Sequence, residues 1–480
     1  MEFLEISNLF EELENNNKRL NKITFLRDFL EKNPKVGFLL FDIISNNFQR
    51  EINRKDLGIS LKTIFSVLSF LSKKTEREVE IQFNKTGDIG ILAHEILKNR
   101  KQKSLYKNKL TLNEIIKTFK EITQTSGNNS NSIKKERLSK LFLSTTSSIE
   151  DKFLARLLIN DLRIGVSVGV LKEAATNYFF PKILGLHFYC KNCNYFILNQ
   201  QVCNLCSNKI NKEQEEILSK KYSIIEVNTP KNIVGLDEFI GKKDKLEEVK
   251  FLLRLDKKKH IIKTLNPREV YILFLKLFEN KYNLINDFSK LYLELKENLF
   301  NILNCEIKLS TPIKSMLGTR VKSISESFEK TGKPALIDFK YDGLRLQIHK
   351  SKDEIKLFSR NLDDITKQFP EVVDFINLNF SFESFVIDCE CIGYDYVKKE
   401  FLDFQILSRR ILTKDIKEVN SIKISIRVFD ILFFEGKTLI NEPYSLRREI
   451  LENLFLEREL KQKLYFNLND LNKFKRNFNY

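Results

Sequence analysis

Residues 338–345 read Asp338-Phe339-Lys340-Tyr341-Asp342-Gly343-Leu344-Arg345, and this stretch decides how the second half of the chain is read. Asp-Gly before an alternating run is a hairpin signal. The expectation is therefore a turn that presents Lys340 at the end of a strand, facing a pocket rather than a packed core. A lysine attacks phosphorus only as the neutral amine, so its pKa must be lowered by desolvation or by nearby cations. Arg345 on the adjoining strand and a divalent metal can supply that field. Lysine suits the role because its charge can be removed, unlike that of arginine. The four residues K-x-D-G alone leave a second reading open, a surface lysine beside an ordinary hairpin.

Working outward, the period from about residue 333 is two. Leu344, Leu346 and Ile348 alternate with Arg345, Gln347 and His349. Ile387, Cys389 and Cys391 alternate with Asp388 and Glu390, and Ile424, Ile426 and Val428 with Ser425 and Arg427. These predict strands of a mixed sheet. Upstream the period is helical. Ile6, Leu9, Phe10 and Leu13 form one stripe, and Leu26, Phe29 and Leu30 continue it beyond Asn15-Asn16-Asn17. Further helices are predicted over 60–70, 112–123, 134–142, 149–158, 269–278 and 284–299. Residues 125–132 (TSGNNSNS) predict a loop. No internal repeat is present.

The 480 residues, 42% hydrophobic, suffice for two to four domains. No apolar run approaches the roughly 20 residues of a membrane helix, and the acidic start Met1-Glu2-Phe3-Leu4-Glu5 is no secretory signal. The formal charge of +17 favours a polyanion such as nucleic acid, although a composition rich in Lys, Asn, Ile and Phe accounts for it equally well. Four of the seven cysteines, Cys190, Cys193, Cys203 and Cys206, form C-x2-C-x9-C-x2-C. That pattern predicts a structural zinc ribbon rather than disulfides; four reduced core thiols are the other reading. A closed four-thiolate site leaves no position for substrate.

Asp388 and Glu390 stand two apart on one strand and so share a face. They suit a Mg²⁺ held mostly through water and phosphate, or the hydroxyls of a ribose. Phe429 suits either plain core or stacking on a base. Arg360 calls for an anionic partner if buried.

Taken in order, Lys340-Tyr341-Asp342-Gly343-Leu344-Arg345, then Ser359-Arg360-Asn361 with 366–370 (TKQFP), Asp388-Cys389-Glu390, Phe404-Gln405 with Arg409-Arg410, Val428-Phe429-Asp430, and Pro443 with Arg447-Arg448 resemble the motifs of covalent nucleotidyltransferases. That group comprises DNA ligases, RNA ligases and mRNA-capping enzymes. The resemblance implies Lys340 as the AMP acceptor, and a nucleotide pocket of Asp338, Lys340, Arg345, Arg360, Glu390 and Phe429. Residues 155–174 (ARLLINDLRIGVSVGVLKEA), 109–143 and 86–97 (TGDIGILAHEIL) resemble the helical DNA-binding domain of archaeal and eukaryotic ATP-dependent DNA ligases. Capping enzymes and RNA ligases lack that domain. Ser126, Gly127, Lys134 and Lys135 are expected to meet phosphates through N–H groups and charge, and Arg163 with Gly165 to let the backbone approach a duplex; a helix cap and an ordinary turn are the alternatives.

The fold class expected is multidomain, α plus α/β. Its parts are an all-helical DNA-binding domain (1–180), a zinc-ribbon insertion and tail (181–265), the last helices of the DNA-binding domain (266–310), and an adenylation domain with mixed sheets (311–480). The resemblance leads one to expect an E-G-x-x-x-K strand, paired lysines and an OB-fold barrel after Arg448, and the sequence has none of these. The expectation is a ligase chain truncated before the end of its catalytic core. The implied cofactors are ATP, Mg²⁺ and Zn²⁺, and the implied partner is nicked duplex DNA in replication, repair and recombination, serving cell division. A sliding clamp or a separate C-terminal fragment stands as a further partner. The expected setting is the cytoplasm at the nucleoid, or the nucleus of a eukaryote. A ligase-derived DNA-binding protein without complete activity, and an RNA ligase or capping-type enzyme, are the alternatives.

Overall fold

A computed structural model describes residues 1–45, 57, 59–98, 109–125, 129–203, 205–210, 214–230, 240–304, 306–316, 318–332, 335–338, 340–352, 354–395, 397–398, 400–412, 423–456 and 466–468. It divides into two compact units. One comprises Met1–Glu279 and Asp287–Leu303, the other Asn280–Asn286 and Asn304–Tyr480. Among the described residues no helix is long and apolar enough to cross a membrane.

The first unit opens with α1 (Phe3–Glu14), which buries Ile6, Leu9, Phe10 and Leu13 as their spacing predicts. The Asn-rich break ends it, and α2 (Arg19–Lys32) and α3 (Gly37–Ile44) follow. Then come α4 (Leu61–Ser72), α5 (Glu76–Thr86), α6 (Ile89–Leu97), α7 (Leu112–Gln124), α8 (Ser130–Ser144), α9 (Ser148–Leu158) and α10 (Val168–Phe179). Reciprocal capping boxes start three of them, Thr75 with Glu78, Thr111 with Glu114 and Ser147 with Glu150. Helix α8 takes in the last three residues, 130–132, of the run expected to be loop.

The centre of this unit is ionic. Arg156 on α9 is 1% exposed. It donates to both Glu14 oxygens on α1 at 2.7 and 3.0 Å, and to Asp88 Oδ2 at 2.8 Å. Asp88 also caps α6, accepting from the N–H groups of Gly90 and Ile91 at 2.7 and 3.1 Å. A Cβ at Gly90 would lie 2.6 Å from Arg156 Nε, so the helix needs glycine there.

The stretch expected to hold only a ribbon and tail holds more. Strand β1 (Lys182–Ile183) precedes the hairpin β2 (His187–Cys190) and β3 (Tyr195–Leu198), and α11 (Glu215–Ser219), β4 (Ser223–Glu226), α12 (Lys243–Arg254) and β5 (His260–Lys263) follow. Strands β1, β5 and β4 form a parallel sheet in that order. The first half is therefore not all-helical outside its ribbon. Ile224-Ile225 and Ile261-Ile262 carry that sheet, but apolar runs so short give no period.

Helix α13 (Pro267–Ile285) and α14 (Phe288–Glu297) correspond to the two helices expected over 269–278 and 284–299, with the break between them falling a few residues later. Asn286 turns the chain with φ 48°, and Asp287 caps α14 by accepting from the Lys290 N–H at 3.0 Å.

In the second unit, α15 (Ile324–Thr331) precedes β6 (Leu344–Ser351), β7 (Glu354–Ser359), α16 (Pro370–Asn379), β8 (Ser384–Asp395), β9 (Glu400–Phe401), α17 (Phe404–Leu412), β10 (Ile424–Phe434), β11 (Lys437–Thr438), α18 (Tyr444–Leu456) and β12 (Phe466–Leu468). The sheet order is β11-β10-β8-β6-β7; β9 pairs with β8, and β12 runs parallel to β10. The three alternating runs predicted as strands, at 344–348, 387–391 and 424–428, are all present.

The two faces of this sheet differ. Leu344, Leu346 and Ile348, with Ile387, Cys389, Cys391, Ile426 and Val428, pack against Phe375 and Ile376 of α16, Leu407 of α17 and Leu451 of α18. The other face is apolar at one end, where Val386 and Phe433 meet Leu284, Ile307 and Ile313. Its other end is charged, and the candidate site stands there.

One expectation fails at this end. Residues 335–338 and 340–343 form no strand, so Asp342-Gly343 is not a hairpin turn. Lys340 lies on an irregular segment that leads into β6. Gly343 serves a different purpose: a Cβ there would lie 2.4 Å from the Cys391 carbonyl oxygen and 2.9 Å from Glu390 Cγ. Glycine lets the segment approach β8 closely.

Candidate active site

Strand register builds the site. Arg345 on β6 lies opposite Glu390 on β8, and Glu390 lies opposite Arg427 on β10. The next row on the same face is Gln347, Asp388 and Asp430. The β8–β10 register runs from Val428–Cys389 directly to Asp430–Asp388, so Phe429 is the extra residue of a bulge. Bulges re-aim side chains. This one moves Asp430 onto the polar face and leaves the Phe429 ring half-buried, with the Arg345 guanidinium carbon 5.4 Å from its centroid.

Glu390 is the electrostatic centre. Burial pushes its carboxyl up, and the charges of Arg345, Lys340 and Arg360 and the Gly343 N–H act the other way. The structure thus brings Lys340, Arg345 and Arg360, three of the residues singled out in the sequence, around a fourth, Glu390. Lys340 and Arg360 are exposed. Asp338 is also exposed, and its charge reaches Tyr444, whose hydroxyl donates to the Phe429 carbonyl at 2.7 Å.

Asp388 is 2% exposed and committed elsewhere. Its Oδ2 accepts from Arg345 Nη2 at 2.5 Å, and its Oδ1 from Gln347 Nε2 at 3.1 Å. Burial raises its pKa, and Arg345 opposes the shift. The two arginine pairs quoted with the motifs brace the fold. Arg410 is buried against Glu371 and the Gln368 carbonyl, and Arg447 clamps Asp430 at 2.8 and 3.0 Å.

Sequence reasoning missed Arg427. It is 9% exposed, its guanidinium carbon lies 5.6 Å from the Tyr341 ring centroid, and its Nε and Nη1 have no hydrogen-bond partner. Strand alternation placed it only on a polar face.

In the first unit the four clustered cysteines converge. Their sulfur atoms all lie within 4.8 Å of one another, with Cys190–Cys206 at 3.6 Å and Cys193–Cys203 at 3.7 Å. Each C-x-x-C is followed by a residue of positive φ, Asn194 at 54° and Ser207 at 59°. The hairpin is fixed to α2, where Arg27 Nη2 donates to the Phe196 carbonyl at 2.6 Å.

Of the residues expected to meet DNA, Ser126 and Gly127 lie outside the described residues. Lys134 donates to the Leu57 carbonyl at 3.1 Å, and Lys135 is half-buried. Arg163, with φ 54°, donates to Asp161 Oδ2 at 2.7 Å and to the Gly87 carbonyl at 3.1 Å. Gly165 has φ 61°, and its carbonyl and that of Ile164 accept from Lys22 Nζ.

Two family models match the chain. "DNA ligase N terminus" covers residues 2–175, and "ATP dependent DNA ligase domain" covers residues 315–479. The DNA ligase of Nanoarchaeum equitans is 26% identical over 462 residues, spanning 96% of this chain and 65% of that protein. The DNA ligase of Methanococcus maripaludis strain C6 is 28% identical over 463 residues, spanning 95% and 64%. The chain thus spans about two thirds, or slightly less, of the length of these relatives. The solved structure "Pmar-Lig_PreS3" aligns over 96% of this chain and 65% of its own, with 12% identity and a TM-score of 0.40.

Proposed function

The chain belongs to the ATP-dependent DNA ligase family, and from that premise we propose that it seals nicks in duplex DNA through AMP carried on Lys340. The observation that carries this reading is the group of Lys340, Arg345 and Arg360 around Glu390, with the Phe429 ring beside Arg345.

In the first step the Lys340 amine attacks the α-phosphorus of ATP. A P–N bond forms, the bond to the bridging oxygen breaks, and pyrophosphate leaves with the electron pair. The AMP then passes to the 5′-phosphate at the nick. The neighbouring 3′-hydroxyl attacks that phosphate and releases AMP. Phe429 offers a flat apolar surface to the adenine, and Arg345 and Arg360 offer charge to phosphate. Gly343 sets how close the Lys340 segment stands to Glu390.

A divalent ion, when bound, neutralises charge on the transferred phosphate. Both Asp388 oxygens have partners, so Glu390 is the carboxylate left for such an ion or for the ribose. One carboxylate suits Mg²⁺, which keeps most of its water and phosphate ligands.

The four cysteines would hold Zn²⁺. A tetrahedron with Zn–S near 2.3 Å has sulfur–sulfur edges of about 3.8 Å, and 3.6 and 3.7 Å stand close to that. Cys190→Ser should release zinc in a metal assay, whereas full zinc retention in a protein lacking both cysteine pairs contradicts the ribbon. We read 181–265 as the insertion carrying this site, 1–180 and 266–310 as the DNA-binding domain around it, and 311–480 as the adenylation domain.

The helical unit is the part an RNA ligase or capping enzyme lacks, so nicked-duplex binding tests the substrate class. A gel-shift titration should show binding that weakens steeply with salt. No preference for nicked duplex DNA over RNA at any salt overturns the assignment of substrate.

A further inference from the structure

Arg427 is an anomaly within the candidate site. A buried polar atom almost always has a partner, and an uncompensated buried cation is costly. Yet Arg427 is 9% exposed, with Nε and Nη1 both idle, and the Nε of Arg345, two strands away in the same row, is idle as well.

The carboxylates nearby do not relieve it. Asp388 accepts from Arg345 and Gln347, and Asp430 is clamped by Arg447. Glu390, the residue directly opposite in the register, already faces Arg345, Lys340 and Arg360 as well as the Gly343 N–H. The row is short of negative charge.

The position of Arg427 says what would supply that charge. Its guanidinium rests against the ring of Tyr341, the residue after Lys340, at 5.6 Å from the centroid. Phe429, two residues further along the same strand, has Arg345 at its ring. A nucleotide whose base stacks on Phe429 and whose α-phosphorus reaches Lys340 would bring its first phosphate to this end of the row. Guanidinium groups bind phosphate oxygens through charge-assisted hydrogen bonds.

We propose that Arg427 holds the α-phosphate of the bound nucleotide through its idle donors, beside the amine of Lys340. This rests on the nucleotide reading of the site. Arg427 keeps its proton throughout, since the bond changes all occur at the α-phosphorus.

The full chain and its Arg427→Met variant are titrated with adenosine, AMP and ATP by isothermal calorimetry, and thermal melting checks that the variant folds. Adenosine should bind both proteins within about twofold. AMP and ATP should each bind the variant at least tenfold more weakly, and Arg427→Lys should recover part of the loss. Three results overturn the proposal: unchanged AMP and ATP affinities, a loss confined to ATP, or an equal loss for adenosine, which marks a structural role. If the wild-type protein binds neither AMP nor ATP, the nucleotide reading itself fails.

Discussion

Gly343→Ala is the change that most directly probes how the fold places Lys340. The added Cβ would lie 2.4 Å from the Cys391 carbonyl oxygen, where ordinary contact begins at 3.4 Å. The difference, 3.4 minus 2.4, is about 1 Å. Cys391 sits mid-strand in β8 with its side chain buried, and its backbone is held on both sides by β6 and β10. The strand cannot yield, so the segment carrying Lys340 must move away by about that distance. A displacement of about 1 Å at a reacting group costs on the order of a hundredfold in rate. The overpacking itself should cost about 1–3 kcal/mol of stability. The assay is single-turnover transfer of label from α-labelled ATP to the protein. The variant should label about a hundredfold more slowly at saturating ATP, while ATP affinity shifts far less, because Phe429 and the arginines stay in place. A labelling rate within threefold of wild type would refute the close-approach argument.

Other changes test separate parts of the account. Arg156→Ala leaves the buried Asp88 with only the more exposed Arg163, and the half-buried Glu14 with Lys152, and should destabilise the first unit by about 1–3 kcal/mol in denaturant unfolding. Burial pushes both carboxyls up, but Arg156, together with Lys152 at Glu14 and the Ile91 and Gly90 N–H groups at Asp88, more than offsets it and their pKa values end lowered. Their contribution is therefore present above the ordinary carboxylate range of about 4 and is lost as the pH falls below it, so the wild-type advantage over Arg156→Ala should shrink there. Burial, with the charge of Lys356, pushes His349 down to about 3, so it is neutral when folded. An unfolded histidine binds its proton near about 6.5, so this contribution is complete above that pH and lost as the pH falls toward 3; His349→Gln should flatten the melting temperature of the second unit between those limits. Phe429→Ala should weaken ATP by about 1–3 kcal/mol of lost stacking, while an unchanged dissociation constant removes Phe429 from the base site.

Periodicity made much of this fold legible. The stripe of α1 and the alternation of β6, β8 and β10 were visible because each buries one complete face. The ordered motifs likewise singled out Lys340, Arg345, Glu390 and Phe429 as candidates, and these lie at the charged end of the sheet. What escaped depends on geometry that no local window contains. The role of Gly343 is set by Cys391, far along the chain, so Asp-Gly looked like a turn. The bulge at Phe429 shifts the face of the residues that follow it, until a second register shift between Ile431 and Phe433, and without it Asp430 would point into the apolar face with Ile426 and Val428. Arg427 looked like an ordinary polar-face residue, since alternation says nothing about whether a buried guanidinium finds a partner. The parallel sheet of β1, β5 and β4 rests on segments too short to carry a period.

The most direct measurement is transfer of label from α-labelled ATP, with Mg²⁺, onto the full chain, alone and with any candidate C-terminal ligase fragment, followed by peptide mapping. The account predicts a labelled protein whose label maps to the peptide containing Lys340, disappears in Lys340→Ala and is released by pyrophosphate. Label that persists in Lys340→Ala, or none on the wild-type chain under either condition, would contradict it and favour a ligase-derived DNA-binding protein.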